Sequence, residues 1–115
     1  MGEGLVVTTE EIADLAVVRV DGELDIATAP ALVEALERLV ERDDRRIVVD
    51  LTGCGFLDSR GSRALALTAR DADGPQIGVV CPPENRAVRR VLELVGIADL
   101  LKVHDTLDGF LPERP

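Results

Sequence analysis

The segment Phe56-Leu57-Asp58-Ser59-Arg60-Gly61 holds the residues whose types and spacing best suit chemistry. In it an apolar pair is followed by an Asp-Ser step, which opens a stretch with helical periodicity. Either Asp58 or Ser59 can be a helix N-cap, because a short side-chain oxygen accepts a hydrogen bond from an unpaired amide there. A serine hydroxyl at this place could also carry a phosphate, which the free amides and the helix dipole would stabilise. Position alone leaves both interpretations open.

The other reactive side chains do not form a catalytic set. A nucleophilic enzyme needs a base beside its nucleophile, yet the chain has a single histidine, His104, and no tyrosine. We predict that His104, beside Asp105, is a solvated loop residue. Cys54 and Cys81 are too far apart for a CxxC motif, and we predict that they are buried packing residues without a disulfide. We therefore predict no enzymatic activity, no cofactor and no metal site.

A glycine pair at Gly53 and Gly55 follows one predicted strand and precedes a predicted helix, which is the context of a dinucleotide-binding turn. The third glycine of that fingerprint would fall at Asp58, whose carboxylate would repel a pyrophosphate. The sequence also has no GK[ST] element for a P-loop. The two glycines are therefore predicted to serve a tight turn.

Composition limits the kind of partner that the chain can have. Its 115 residues suffice for one domain, and 46% hydrophobic with 30% charged residues is typical of a globular protein. A net charge of −9 and an aromatic content of 2% disfavour nucleic acid and favour a protein partner with a basic or mixed face. With no basic N-terminal region and no long apolar run, we expect a cytoplasmic protein without a membrane span.

Hydrophobic periodicity predicts the elements that must position these residues. Residues 5–9 and 15–20 are β-branched and predict an opening hairpin. Thr28 is the predicted N-cap of a helix with Pro30 in its first turn. The apolar stripe of this helix is Leu32, Val33, Leu36, Leu39 and Val40. Residues 46–51 predict a central strand, covered on both faces.

Strand and helix alternate in the second half of the chain. A turn at 52–55 precedes a helix that must end at Asp73-Gly74-Pro75, and residues 77–80 predict another buried strand. The spacing of Val88, Val91, Leu92 and Val95 predicts a helix up to Gly96. A strand at 101–103 and a terminal helix at 106–111 complete the chain. The prediction is an α/β domain with a mixed, mostly parallel sheet opened by a hairpin, and about four helices.

Taken in order, four pieces of the sequence resemble a STAS domain of the bacterial anti-sigma factor antagonists. They are Gly22-Glu23-Leu24-Asp25, Ile47-Val48-Val49-Asp50-Leu51, Phe56-Leu57-Asp58-Ser59-x-Gly61 and Val88-x-x-Val91-Leu92-x-x-x-Gly96. The resemblance covers nearly the whole chain and implies a single STAS domain over residues 1–115. The order of the four pieces agrees with the predicted order of strands and helices.

The resemblance implies a regulatory function rather than an enzymatic one. In that family an anti-sigma factor with serine kinase activity phosphorylates the loop serine, here Ser59, and a serine phosphatase removes the phosphate. The unphosphorylated protein binds the anti-sigma factor and frees the sigma factor for transcription. The implied contact surface consists of Gly22, Glu23, Asp25, Asp58, Ser59 and Arg60. Within it, Asp25, Asp58 and Ser59 would form one acidic patch.

The chain departs from the common family pattern at Arg60, which stands where a second serine is usual, and Ser62-Arg63 follow Gly61. Two other functions remain open. The domain could be a non-switching STAS subunit with a structural or carrier role in a signalling or lipid-transport assembly, with Ser59 serving only as a cap. It could also bind a ligand in its apolar core.

Overall fold

The strands and helices follow the predicted alternation, with one addition. A computed structural model of the protein describes residues 4–42, 46–71, 76–94, 96 and 101–111. Its strands are β1 (Leu5–Ile12), β2 (Leu15–Leu24), β3 (Arg46–Asp50), β4 (Cys54–Leu57), β5 (Gln76–Val80) and β6 (Lys102–His104). Its α-helices are α1 (Ala29–Glu41), α2 (Ser59–Asp71) and α3 (Arg86–Leu94), and a 3-10 helix spans Leu107–Phe110. The predicted break at Asp73-Gly74-Pro75 and the position of Val95 lie outside the described residues.

All six described strands belong to one sheet, in the order β1-β2-β3-β5-β6, with β4 paired to β2 beside β3. Only β1 and β2 are antiparallel, and every other pairing is parallel. Val18, Val49 and Val79 are register partners across β2, β3 and β5, and all three are fully buried. The prediction of a mixed, mostly parallel sheet opened by a hairpin is confirmed.

The hairpin is longer than the sequence predicted. β1 continues to Ile12 because it is an edge strand, whose outward side chains can be polar without loss of burial. Glu10 on β1 forms an ion pair with Arg19 on β2, with 2.7 Å between oxygen and nitrogen. β2 continues to Leu24 because its last three residues find a new partner in β4.

The prediction differs from the structure in three places after β3. Residues 54–57 form β4, whereas a turn was expected there, since a strand of four residues with a glycine carries almost no periodic signal. The described residues hold three α-helices, whereas about four helices were expected, because the predicted terminal helix is a single 3-10 turn. β6 begins one residue later than predicted.

The core lies mainly between the sheet and the three α-helices. Leu32 and Leu36 of α1, Leu65 of α2 and Val88 of α3 are almost completely buried against the strands. Burial of apolar side chains such as these makes the largest favourable contribution to the free energy of folding. The helices are therefore held on one face of the sheet, with their N-termini towards the carboxyl edge of the parallel strands.

The opposite face of the sheet is covered by the 3-10 helix. Phe110 packs against Gly78 of β5, where a Cβ atom would collide with its ring. The Arg46 guanidinium donates a hydrogen bond of 2.6 Å to the carbonyl of Phe110. His104 is half-buried and meets the ring of Phe110 edge-on at 4.5 Å between centroids, so the prediction of a solvated loop residue is wrong. No pattern in the sequence indicates that the last segment folds back over the sheet.

Both cysteines are buried, as predicted. Burial raises the pKa of the Cys54 thiol, and burial also raises the pKa of the Cys81 thiol, where the nearby Arg89 guanidinium acts in the opposite direction. The thiols are therefore protonated and unreactive at neutral pH, which is the behaviour of packing residues.

Candidate functional site

The pairing of β2 with β4 brings two loops of the sequence side by side. Glu23 is the register partner of Phe56, and Leu24 is the register partner of Leu57. Immediately after these pairs the amide of Asp58 donates a hydrogen bond of 3.3 Å to the carbonyl of Leu24. The loop after β2 and the start of α2 therefore form one surface at the end of the sheet.

Gly22 allows β2 to change its register at this point. Its φ of +121° is unfavourable for other residues, and a Cβ atom there would collide with the carbonyl oxygen of Gly4. The pairing with β4 shifts between Gly22 and Glu23, and the amide of Gly22 bonds to the carbonyl of Gly53 at 3.1 Å. Gly53 is in the predicted tight turn, whereas Gly55 lies within β4. Gly22 thus shapes the site rather than contacting a partner through a side chain.

Asp25 closes the loop that leads from β2 into α1. Its Oδ1 atom accepts hydrogen bonds from the amides of Ala27 at 2.9 Å and Thr28 at 3.0 Å. Thr28 occupies the N-cap position of α1, as predicted, but its hydroxyl accepts no hydrogen bond from the helix amides and instead donates to the carbonyl of Glu23 at 2.7 Å. The Asp25 side chain is half-buried, and its charge is used to hold the loop.

Asp58 is the cap of α2, which decides between the two candidates that the sequence left open. Its Oδ1 atom accepts a hydrogen bond of 2.7 Å from the amide of Gly61, and its carbonyl accepts one of 3.1 Å from the amide of Ser62. The hydroxyl of Ser62 donates to the same carbonyl at 3.0 Å, and this serine is completely buried. Neither Asp58 nor Ser62 is therefore available as an exposed reactive group.

Ser59 is the exposed serine of this segment. It is the first residue of α2, and its hydroxyl makes no hydrogen bond with any residue that the structure describes. Its carbonyl accepts a hydrogen bond of 3.1 Å from Ser62. Arg60 follows it and is exposed as well. The backbone of Ser59 is thus fixed, while its hydroxyl points to a place that another molecule can reach.

Two apolar side chains beside Ser59 were not predicted as site residues. Ile26 is 60% exposed in the loop after β2, and Phe56 is 46% exposed on β4. Leu57, the other member of the apolar pair before Asp58, is buried. An apolar residue within an otherwise polar loop is the signal that could have identified Ile26. Large apolar side chains of this kind are frequent anchors of protein interfaces.

Other kinds of site find little support in the described part of the chain. No group of three His, Cys, Asp or Glu side chains among the described residues is placed to hold a metal ion. No described helix is long and apolar enough to cross a membrane.

Removal of the Asp58 cap provides a first test of this geometry. Asp58→Ala leaves the amide of Gly61 without its acceptor, so we expect the free energy of unfolding to fall by about 1 kcal/mol. Asp58→Asn retains an oxygen at the same place and should remain within a few tenths of a kcal/mol of the original protein. Denaturant unfolding of the three proteins measures both values. An alanine variant as stable as the original protein would show that Asp58 does not cap α2.

Comparisons with known proteins find related sequences and a similar fold. The sequence model of one family, described as "Mlab, STAS domain", matches residues 8–102. The chain is 31% identical over 110 residues to the anti-sigma-F factor antagonist RsfB of Mycobacterium tuberculosis, covering 95% of this chain and 88% of the relative. It is also 31% identical over 93 residues to the anti-sigma-B factor antagonist of Staphylococcus aureus, covering 76% and 82%. A crystal structure of an anti-sigma factor antagonist from Mycobacterium paratuberculosis superposes with a TM-score of 0.76 at 31% identity, covering 92% of this chain and 90% of that one.

Proposed function

The chain belongs to the STAS domain family of the anti-sigma factor antagonists, and we propose that it is a switch whose state is set by phosphorylation of Ser59. In the unphosphorylated state it binds an anti-sigma factor that has serine kinase activity, and a sigma factor is released to direct transcription. In the phosphorylated state it does not bind, and a serine phosphatase restores the active form. The observation that carries the proposal is that Ser59 is exposed beside the loop after β2 and that its hydroxyl has no hydrogen-bond partner among the described residues.

The chemical step is a phosphoryl transfer from ATP. The Ser59 oxygen forms a bond to the γ-phosphorus, the bond from that phosphorus to the β-γ bridging oxygen breaks, and the hydroxyl proton passes to a base of the kinase. The domain contributes only the acceptor and its position, so it is a substrate and a binding protein rather than an enzyme. The amides of Gly61 and Ser62 already bond to Asp58, so those of Ser59 and Arg60 are the ones left at the helix start to face a phosphate.

The difference in burial between the two serines of α2 supports Ser59 as the acceptor. Ser62 is the other serine of α2, and its hydroxyl is buried and bonded to two carbonyls. A kinase could reach it only if the first turns of α2 unfolded. This contrast supports a single phosphorylation site where many relatives of the family have a pair of serines, because Arg60 replaces the second.

The experiment that tests the function is incubation with ATP and purified candidate serine kinases of the anti-sigma type, followed by mass spectrometry. We expect one phosphate on a peptide that contains Ser59, none in Ser59→Ala, and an unchanged yield in Ser62→Ala provided that this variant remains folded. Ser59→Ala should still bind the kinase, because the lost hydroxyl has no partner among the described residues. Ser59→Asp should bind more weakly, because it adds a charge at the contact surface. If no candidate kinase modifies Ser59, the non-switching structural role becomes the better explanation.

A further inference from the structure

The formal charge of helix α1 is opposite in sign to the formal charges of helices α2 and α3. Helix α1 carries three glutamates and one arginine, a formal charge of −2. Helix α2 carries three arginines and one aspartate, and α3 carries three arginines and one glutamate, so each has a formal charge of +2. The net charge of the whole chain is −9. Helix α2, which begins at Ser59, and helix α3 are thus basic in a protein whose net charge is strongly negative.

Four arginines of α2 and α3 form what we call the basic face: Arg60, Arg63, Arg86 and Arg90. All four are exposed, and none has a hydrogen bond or ion pair with the residues that the structure describes. Arg89 differs, because its guanidinium is bonded to Asp105 at 2.7 Å and to the carbonyl of Cys81. An arginine without a partner in its own chain is free to pair with a carboxylate of another molecule.

The topology brings the basic face next to Ser59. Helices α2 and α3 pack against each other, and both run from the carboxyl edge of the parallel sheet. Asn85 precedes α3, and its side chain donates a hydrogen bond of 2.8 Å to the carbonyl of Cys54 at the start of β4. The four arginines all lie in the first two turns of their helices, so they belong to the ends of α2 and α3 that follow parallel strands of the sheet.

Of the three carboxylates in the implied contact surface, only that of Glu23 is exposed. Asp58 and Asp25 are both half-buried, and each uses an oxygen to accept backbone hydrogen bonds within its own loop. A partner that covers Ser59 from the helical side therefore meets arginines.

We propose that the basic face docks an acidic surface of the anti-sigma partner, an inference that rests on the proposed function. Long-range attraction to such a surface increases the rate of association, and carboxylates of the partner pair with the four guanidinium groups in the complex. The contact surface of the partner would thus carry charges of both signs, and its acidic part would lie against α2 and α3. A phosphate on Ser59 places about two negative charges at the edge of this face and opposes the same attraction.

Paired substitutions test the proposal by surface plasmon resonance against the kinase that phosphorylates Ser59. Arg60→Gln with Arg63→Gln, and Arg86→Gln with Arg90→Gln, should each slow association about tenfold at low salt and make its salt dependence shallower. Arg38→Gln with Arg42→Gln, in the last turns of α1 and at its C-cap, is the matched control, since it removes two exposed positive charges beside the acidic helix and should change association less than twofold. Association as fast in both basic-face variants as in the control would overturn the proposal, while phosphorylation of Ser59 would still support the switch.

A second measurement tests the basic face without a kinase. It is needed if no candidate kinase binds the protein, a result that would count against the proposed function and not against the basic face. Poly-L-glutamate is titrated into the protein, and amide chemical shifts are followed by NMR. Shifts confined to α2 and α3 support the basic face, whereas absent shifts, or shifts spread equally over α1, overturn it. A short DNA duplex is titrated in parallel at physiological salt. Stronger shifts with the duplex than with poly-L-glutamate would show that the face binds nucleic acid, and the proposal of an acidic protein partner would be wrong.

Discussion

Phosphorylation of Ser59 is expected to weaken binding to the anti-sigma partner about a hundredfold or more while leaving the fold intact. The phosphate would be enclosed in the contact surface between the loop after β2 and α2, where the partner has to displace its water. An unpaired charge enclosed at an interface costs about 2–5 kcal/mol, and a hundredfold loss of affinity corresponds to about 2.7 kcal/mol within that range. If the partner is acidic on this side, like-charge repulsion adds to the cost.

The fold should persist because the phosphate sits at a favourable place in its own chain. At the first position of α2 it faces the positive end of the helix dipole, which stabilises a negative charge by about 0.3–1 kcal/mol. Arg60 and Arg63 are exposed one and four residues further on, within reach of the phosphate oxygens. The repulsion from Asp58 offsets part of this gain, so the net effect on stability is small.

Calorimetric titration and thermal unfolding of both forms measure the two halves of this prediction. We expect lost binding together with a midpoint of unfolding that changes by only a few degrees. A midpoint lowered by many degrees, or lost amide protection throughout α2, would instead indicate a switch that acts by unfolding. Unchanged affinity of the phosphorylated protein would show that Ser59 lies outside the interface.

Replacing Gly61 with alanine is expected to destabilise the domain by about 2–4 kcal/mol, in the range of severe backbone and packing defects. Gly61 is buried where α2 crosses the end of β2, and a Cβ atom there would lie 2.5 Å from the carbonyl oxygen of Leu24 and 2.9 Å from its carbon. Neither is the end of a flexible side chain, so α2 must move away from β2. That movement would also weaken the hydrogen bond from Asp58 to Leu24, which joins the two loops of the site.

Gly55→Ala is the matched control, because the same change on β4 meets nothing within 4 Å. Thermal unfolding should show a midpoint lowered by about 10 °C or more for Gly61→Ala and little change for Gly55→Ala. If the two variants unfolded at the same temperature, the close approach of α2 to β2 would be wrong. A Gly61→Ala protein that stays folded at low temperature should still bind the partner less well, since its two loops are no longer held together.

The fold could be predicted from the sequence wherever periodicity was strong. The buried valine-rich strands and the apolar stripe of α1 can be recognised in the sequence, because burial on one or both faces produces a regular pattern of apolar residues. β4 could not be found in this way, since its four residues depend on a partner far away in the chain. The same is true of the 3-10 helix, whose Phe110 is recognisable only once Gly78 is known to lie beneath it.

The candidate site was predictable in its residues but not in their roles. The sequence placed Asp58 and Ser59 at a helix start, and only the structure shows that Asp58 is the cap and that the hydroxyl of Ser59 is unpartnered. Asp25 was expected in an exposed acidic patch, and it closes a turn instead. Such assignments depend on hydrogen bonds that no one-dimensional pattern records. The exposed arginines were visible in the sequence, but their common face depends on the packing of α2 against α3.

The position of β2 as the common neighbour of β1, β3 and β4 has a consequence for how the domain acquires its site during folding. The β1–β2 hairpin closes a loop of a few residues, whereas the pairings of β2 with β3 and β4 join residues about thirty positions apart. Closing such loops costs chain entropy before any contact compensates, so local hairpins form in microseconds and non-local pairing is slower. Ser59 reaches its final setting only through the β2–β4 pairing. A kinase that recognises this setting would therefore act only on a chain in which β2 and β4 have already paired.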